Sequence, residues 1–214
     1  MSVSWLIFDA MGVIFEVGDD TKDLLVPYVI RRKPAASEQQ ILDLYMKASL
    51  GEINSQGFWQ SMGFKNWRDT EKDYLDNCLT LDKDFCETAQ QLQRKYNLAL
   101  LSNDISEWSV HLRRKFNLDQ FFKTVIISGD VGYRKPNPKI YEFLLTRINA
   151  PAGDCLFFDD RVKNLFPAQE LGITPVLFNR ERIDARGFKS VDGFREIEKM
   201  IDHDIQLSGI LPYN

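Results

Sequence analysis

Five short apolar runs constrain this chain more than any other feature: Val3–Phe8, Leu98–Leu101, Thr124–Ile127, Cys155–Phe158 and Thr174–Phe178. Each is nearly continuous rather than alternating, which is the pattern of a strand covered on both faces. Between the later runs lie amphipathic stretches of helical length, at Asp84–Tyr96, Ile105–Phe116, Pro138–Ile148 and Val162–Leu171. Strand alternating with helix predicts a parallel sheet joined by right-handed crossovers, an α/β, Rossmann-like layout with helices on both faces. A length of 214 residues suffices for one substantial core and a smaller second unit.

Residues 18–80 break the rhythm. They read as helices with no strand between them, over Thr21–Arg32, Ser37–Ser49, Ser55–Met62 and Trp67–Leu79. Pro34 ends the first, Ser37 with Gln40 forms a capping box for the second, and Gly51 and Gly63 mark the later breaks. The expected organisation is therefore an α/β core of residues 1–17 and 81–214, with a small all-α cap, residues 18–80, inserted after the first strand. Phe58, Trp59, Phe64, Trp67 and Tyr74 read chiefly as the insert's own core, because so small a bundle needs large apolar side chains.

Charge and cysteine content narrow the partners. A net charge of −4 carries no electrostatic footprint for nucleic acid. The basic runs Arg31–Arg32–Lys33 and Arg113–Arg114–Lys115 fall late in, or on the outer face of, expected helices, where solvated charge is the simpler reading. Three cysteines without ligand spacing, and the isolated His111 and His203, suggest neither a zinc site nor a disulfide framework. The N-terminal apolar run is interrupted by Asp9 and too short to span a bilayer, so a cytoplasmic address and no membrane partner are expected.

The polar residues at the strand ends are not a random set. The first run ends in Asp9, the second in Ser102–Asn103 and the fourth in Asp159–Asp160. The third leads to Lys135, just before a proline and a helix start. In an open parallel sheet, ligands bind outside the carboxyl ends of the strands. Carboxylates gathered there repel one another unless a cation joins them, and oxygen donors beside a phosphate suit Mg²⁺. The ammonium and hydroxyl suit phosphate oxygens, and Asp9 can attack phosphorus as a carboxylate nucleophile. Taken singly, each element reads as turn or cap chemistry. Four of them in order on successive strand ends point to a site.

The stretches "FDAMGVIF", "LLSND", "GYRKPNPKIYEFLL" and "FFDDRVKNLFPAQELGI" resemble the four motifs of the haloacid dehalogenase-like hydrolase superfamily, over residues 1 to about 180. The last two resemble the capped phosphatase branch that includes sugar-phosphate phosphatases and the N-terminal domain of soluble epoxide hydrolase. The resemblance implies that Asp9 forms an aspartyl-phosphate and that Lys135 neutralises charge on nucleophile and phosphoryl group. It implies phosphate contacts from Ser102, Asn103 and the backbone of Met11 and Gly12. It also implies Mg²⁺ held by Asp9, the Met11 carbonyl and Asp160, with Asp159 orienting the metal's water shell and Asn164 supporting the loop. The substrate would be a small phosphorylated metabolite, its identity and the oligomeric state left open.

One position departs from the pattern. Where family phosphatases carry the Asp that protonates the leaving oxygen and then deprotonates water, this chain has Met11, while Val13 is within family variation. A positioned acid–base contributes about 10²–10⁴-fold in rate. Three readings follow. A phosphatase would use water or a group such as Asp104 instead, with activity that depends steeply on the leaving group. A 2-haloacid dehalogenase would need no acid, since "FDAMG" resembles its first motif, but dehalogenases replace the metal carboxylates that Asp159–Asp160 retain. A non-catalytic phosphate-binding or regulatory pseudoenzyme would bind without turnover. A Schiff-base chemistry like that of phosphonoacetaldehyde hydrolase would need a lysine from the insert, Lys22, Lys33, Lys47, Lys65 or Lys72. Arg134 and Arg161 flank the expected site and fit either phosphate contacts or surface ion pairs.

Overall fold

A computed structural model describes residues 3–208; residues 1–2 and 209–214 of the expected core, and the side chain of His203, lie outside the described part. Six strands form one sheet, every pairing parallel: β1 Trp5–Phe8, β2 Asn97–Ser102, β3 Thr124–Ile127, β4 Cys155–Asp159, β5 Thr174–Phe178 and β6 Lys189–Val191. Their order is β3-β2-β1-β4-β5-β6. The period-two geometry of a strand explains the continuous apolar runs. Leu6, Phe8, Leu98, Leu100, Leu156, Phe158, Val176 and Phe178 face one hydrophobic cluster. Their neighbours Trp5, Ile7, Ala99, Leu101, Cys155, Phe157 and Leu177 face the other. Five of the strands coincide with the five expected runs. The sixth has three residues of which only Val191 is buried, so it carries no apolar run to read.

Between β1 and β2 the chain is helical: α1 Val26–Arg32, opened by a wider turn over Thr21–Leu25, α2 Glu38–Ser49, α3 Ser55–Ser61 and α4 Trp67–Asn77. The Ser37 hydroxyl accepts from the Gln40 amide at 3.2 Å, starting α2 as expected. After these come α5 Phe85–Leu92, α6 Ser106–Lys115, α7 Ser128–Val131, α8 Pro138–Ile148, α9 Val162–Glu170 and α10 Ile197–Ser208. Ile140, Tyr141 and Leu144 of α8, with Leu165 and Ala168 of α9, cover the second face of the sheet.

Phe58, Trp59 and Tyr74 are fully buried, Phe64 nearly so and Trp67 half-buried, as a small bundle requires. This cluster does not end at the insert. Trp108 of α6 packs against Phe58, Trp59 and Tyr74, with ring centroids 5.3–5.7 Å apart. Glu71 of α4 accepts from both indoles, Trp59 at 3.0 Å and Trp108 at 2.8 Å. At the end of α2, Gly51 has φ +75°, and a Cβ there would lie 2.3 Å from the Gly129 carbonyl oxygen, so only glycine lets α2 dock on α7. Among the described residues, no helix is long and apolar enough to cross a membrane.

Candidate active site

Strand order reverses around β1, whose neighbours are β2 and β4, and in sheets of this order ligands bind at that switch. Phe8 is in register with Phe158, and the Asp9 amide donates to the Phe158 carbonyl at 2.9 Å. Asp9 and Asp159 therefore leave adjacent strand tips side by side. Lys135 arrives from the loop between α7 and α8. Asn103, just past β2, holds that loop by a reciprocal pair: its Oδ1 accepts from the Lys135 amide at 2.8 Å, and its Nδ2 donates to the Lys135 carbonyl at 2.9 Å.

The Lys135 ammonium is buried between two carboxylates, 2.8 Å from Asp9 Oδ1 and 2.7 Å from Asp159 Oδ2. Asp159 is fully used: Asn164 Nδ2 donates to both its oxygens at 2.9 and 3.0 Å, and the Arg161 amide donates to Oδ1 at 2.8 Å. Asp160 is not, because its buried Oδ1 has no hydrogen-bond partner. Its Oδ2 lies where a Cβ on Gly12 would sit, 2.3 Å away, and Gly12 has φ +76°. Glycine at that turn is what lets the loop after β1 reach the carboxylate.

Ligand atoms of Asp9, Asp159 and Asp160 all lie within 4.8 Å of one another. Burial raises Asp9 well above the usual carboxylate range, Lys135 opposes the shift, and Asp159 and Asp160 reinforce it. Asp160 is raised as well, by burial first and by Asp159 second. Burial alone would lower Lys135, but the charges of Asp159 and Asp9 outweigh it and hold the ammonium protonated. Asp9 and Asp159 share one lysine, and the third carboxylate, Asp160, leaves a buried Oδ1 with no hydrogen bond and only the Arg161 guanidinium at 4.0 Å. That donor set fits a divalent hard cation such as Mg²⁺.

The cluster opens into a small cleft of about 170 Å³ lined by Asp9, Met11, Asn103 and Lys135 from the expected set. Ser102 is buried at the end of β2 with its Oγ unpartnered, and it does not line the cleft. Gly12 and Asp160 line an adjoining depression with Arg180. Arg134 and Arg161 both line the cleft rather than pairing only at the surface. Arg134 donates to Ser49 Oγ and lies 5.5 Å over the Tyr45 ring, and Arg161 donates to the Gly18 carbonyl at 2.7 Å.

One expectation is corrected, and one placement that the sequence left open is located. Asp104 does not line the cleft; it is buried, and its Oδ1 accepts from the Ile105 amide at 2.7 Å. None of Lys22, Lys33, Lys47, Lys65 and Lys72 lines it either, so the insert brings no Schiff-base lysine to Asp9. Sequence reasoning missed Asp20, Tyr45 and Arg180. Arg180 donates to the Gly12 and Val13 carbonyls at 3.2 and 2.6 Å and pairs with Asp82 at 2.6 Å, which pins the loop after β1. Nothing local marks that arginine. Asp20 had a visible signal, a second acid before a helix, but that pattern reads as a cap.

The family model for haloacid dehalogenase-like hydrolases matches residues 4–172, and this chain belongs to that family. Among curated relatives, mouse "Bifunctional epoxide hydrolase 2" is 37% identical over 76 residues, 36% of this chain and only 14% of the mouse protein. "D-ribitol-5-phosphate phosphatase" of Bacteroides thetaiotaomicron is 23% identical across 78% of this chain and 87% of that protein. A solved HAD family enzyme from Bacteroides thetaiotaomicron, in complex with magnesium and inorganic phosphate, shares the fold at TM-score 0.72 and 19% identity, covering 82% of this chain and 94% of its own.

Proposed function

We propose that this chain is a Mg²⁺-dependent phosphomonoester hydrolase that acts on a small phosphorylated metabolite through an aspartyl-phosphate on Asp9. The observation that carries the reading is the cluster of Asp9, Asp159 and Asp160, ligand atoms within 4.8 Å of one another, with Lys135 between the first two and one buried Asp160 oxygen making no hydrogen bond. The ribitol-phosphate phosphatase relative and the magnesium and phosphate complex of a structural neighbour agree with it.

Asp9, the Met11 carbonyl and Asp160 would hold the metal, with Asp159 held in place beside them. The bound cation would supply positive charge that lets the carboxylates and a phosphate dianion share the site. Lys135 keeps Asp9 in reach and neutralises charge on the phosphoryl group. Asn103 and the Met11 backbone, which line the cleft, would receive phosphoryl oxygens, with Ser102 and the Gly12 backbone adjoining it. Residues 18–80 act as a cap whose α2 contributes Tyr45 to the cleft wall, which selects for substrates of metabolite size. Free Cys78, Cys86 and Cys155 agree with a reducing, cytoplasmic setting.

Met11 favours one competing reading, since dehalogenation needs no acid. Both are tested together. Purified protein with Mg²⁺ is assayed for phosphate release from a phosphomonoester panel and for chloride release from 2-chloropropionate. Phosphate release that is lost at least about 10³-fold in Asp9→Asn, and lost on chelation, is expected. Chloride release that persists without metal would overturn the phosphatase reading.

A further inference from the structure

We propose that Asp20 is the general acid and base of this site, supplying from the cleft wall the carboxyl that Met11 cannot supply from the loop after β1. The assignment rests on the phosphatase reading above. Asp20 is only 5% exposed, yet it lines the same cleft as Asp9, Met11 and Lys135. Its position just before Thr21–Leu25 is where an aspartate normally caps a helix, but it makes no side-chain capping bond. Nor does it form an ion pair at salt-bridge distance: Arg161, the nearest strong cation by effect, approaches Asp19 at 3.7 Å instead. The turn that follows is widened, with the Val26 amide bonded back to the Thr21 carbonyl, five residues earlier. Such widened turns recur at functional sites.

The surroundings suit the task. Burial pushes Asp20 up to about 7 against the pull of Arg161, and Asp19 and Asp9 add to the rise. Tyr45 of α2 lines the same cleft, and Tyr45, Tyr74 of α4 and Asp104 before α6 are each raised by burial first and by the charge of Asp20 next. A carboxyl poised near neutrality can both give and take a proton. In the first step an Asp9 oxygen bonds to phosphorus, the bond from phosphorus to the leaving oxygen breaks, and the Asp20 proton passes to that oxygen, releasing an alcohol. In the second, Asp20 carboxylate takes a proton from water as the water oxygen bonds to phosphorus. The Asp9–phosphorus linkage breaks, and phosphate leaves with Asp20 protonated again.

The test is a series of phosphomonoesters from 2,4-dinitrophenyl phosphate, whose leaving group needs no proton, through phenyl phosphate to an alkyl phosphate. In Asp20→Asn, kcat/KM should fall about 10²–10⁴-fold on the alkyl ester and by a few-fold at most on the dinitrophenyl ester. With the dinitrophenyl ester the variant should also show a burst of about one equivalent of dinitrophenolate, with phosphorylated Asp9 detected by mass spectrometry, because the second step lacks its base. Adding Met11→Asp should restore alkyl-ester hydrolysis to Asp20→Asn. Equal losses across the series, or none, with no burst, would overturn the assignment while Asp9-dependent wild-type activity left the phosphatase reading standing. A wild type inactive on every ester would bring down both.

Discussion

Asp9, Asp159 and Lys135 meet at hydrogen-bond distance in a largely buried cluster, where charges interact more strongly than at a surface. Two carboxylates against one ammonium leave a net negative centre, and Asp160, with Arg161 at 4.0 Å, lies beside it, so a bound cation would balance the charge. Asp20 lines the same cleft and has its own consequence for stability. Its folded value of about 7 stands above the ordinary 3.8. Between those values the folded form binds more protons than the unfolded chain, so stability falls as pH rises through that window. Asp20→Asn removes the penalty. Its melting temperature should match wild type near pH 4 and exceed it by several degrees at pH 8, at about 2–4 °C per kcal/mol in a chain this size. Thermal unfolding across that range checks the sign; a variant less stable at pH 8 would mean that Asp20 holds the fold rather than being strained by it.

At the scale of elements, the site is made by strand tips and the turns that follow them. The five long strands were legible because a strand buried on both faces writes itself as a run of apolar residues, and Asp9, Ser102 and Asp159 could be located by counting to the end of each run. A helix start with a capping side chain was equally plain at Ser37, which accepts from the Gln40 amide at 3.2 Å. The widened turn at Thr21–Leu25 and the short edge strand β6 were not, since neither alters local hydrophobic periodicity. The loop after β1 is the element most sensitive to change. Gly12→Ala puts an L residue at φ +76° and a Cβ within 2.3 Å of Asp160 Oδ2. Because that carboxylate must move, Mg²⁺ affinity measured by titration calorimetry should fall about 10–100-fold, as when other metal-orienting contacts are lost. Unchanged affinity would show that Asp160 does not depend on the turn.

At the scale of the molecule, the helical insert and one face of the sheet share a single hydrophobic cluster that runs from Phe8 through Trp108 to Trp59 and Tyr28. Polar ties cross the same seam: Tyr45 donates to the Asn103 carbonyl at 3.2 Å, Ser128 to the Ser49 carbonyl at 2.5 Å, and His111 pairs with Asp76 at 2.8 Å. Trp108→Ala would open a cavity at that seam and strand Glu71, costing about 3–5 kcal/mol. Differential scanning calorimetry should show one transition in both proteins, lowered in the variant by about 6–20 °C. Two separable transitions in wild type would mean that the insert folds on its own core. The sequence by itself determined the sheet, the helices that cover it and the strand-end carboxylates, because burial on two faces and chain order are local patterns. Only the tertiary structure decided that Arg180 clamps the loop after β1 and that Asp104 is buried outside the cleft lining, taken up by the Ile105 amide. It alone also brings Asp20 into the cleft beside Met11, since residues far apart in sequence, or hidden behind a cap-like pattern, meet only when the insert packs over the strand ends.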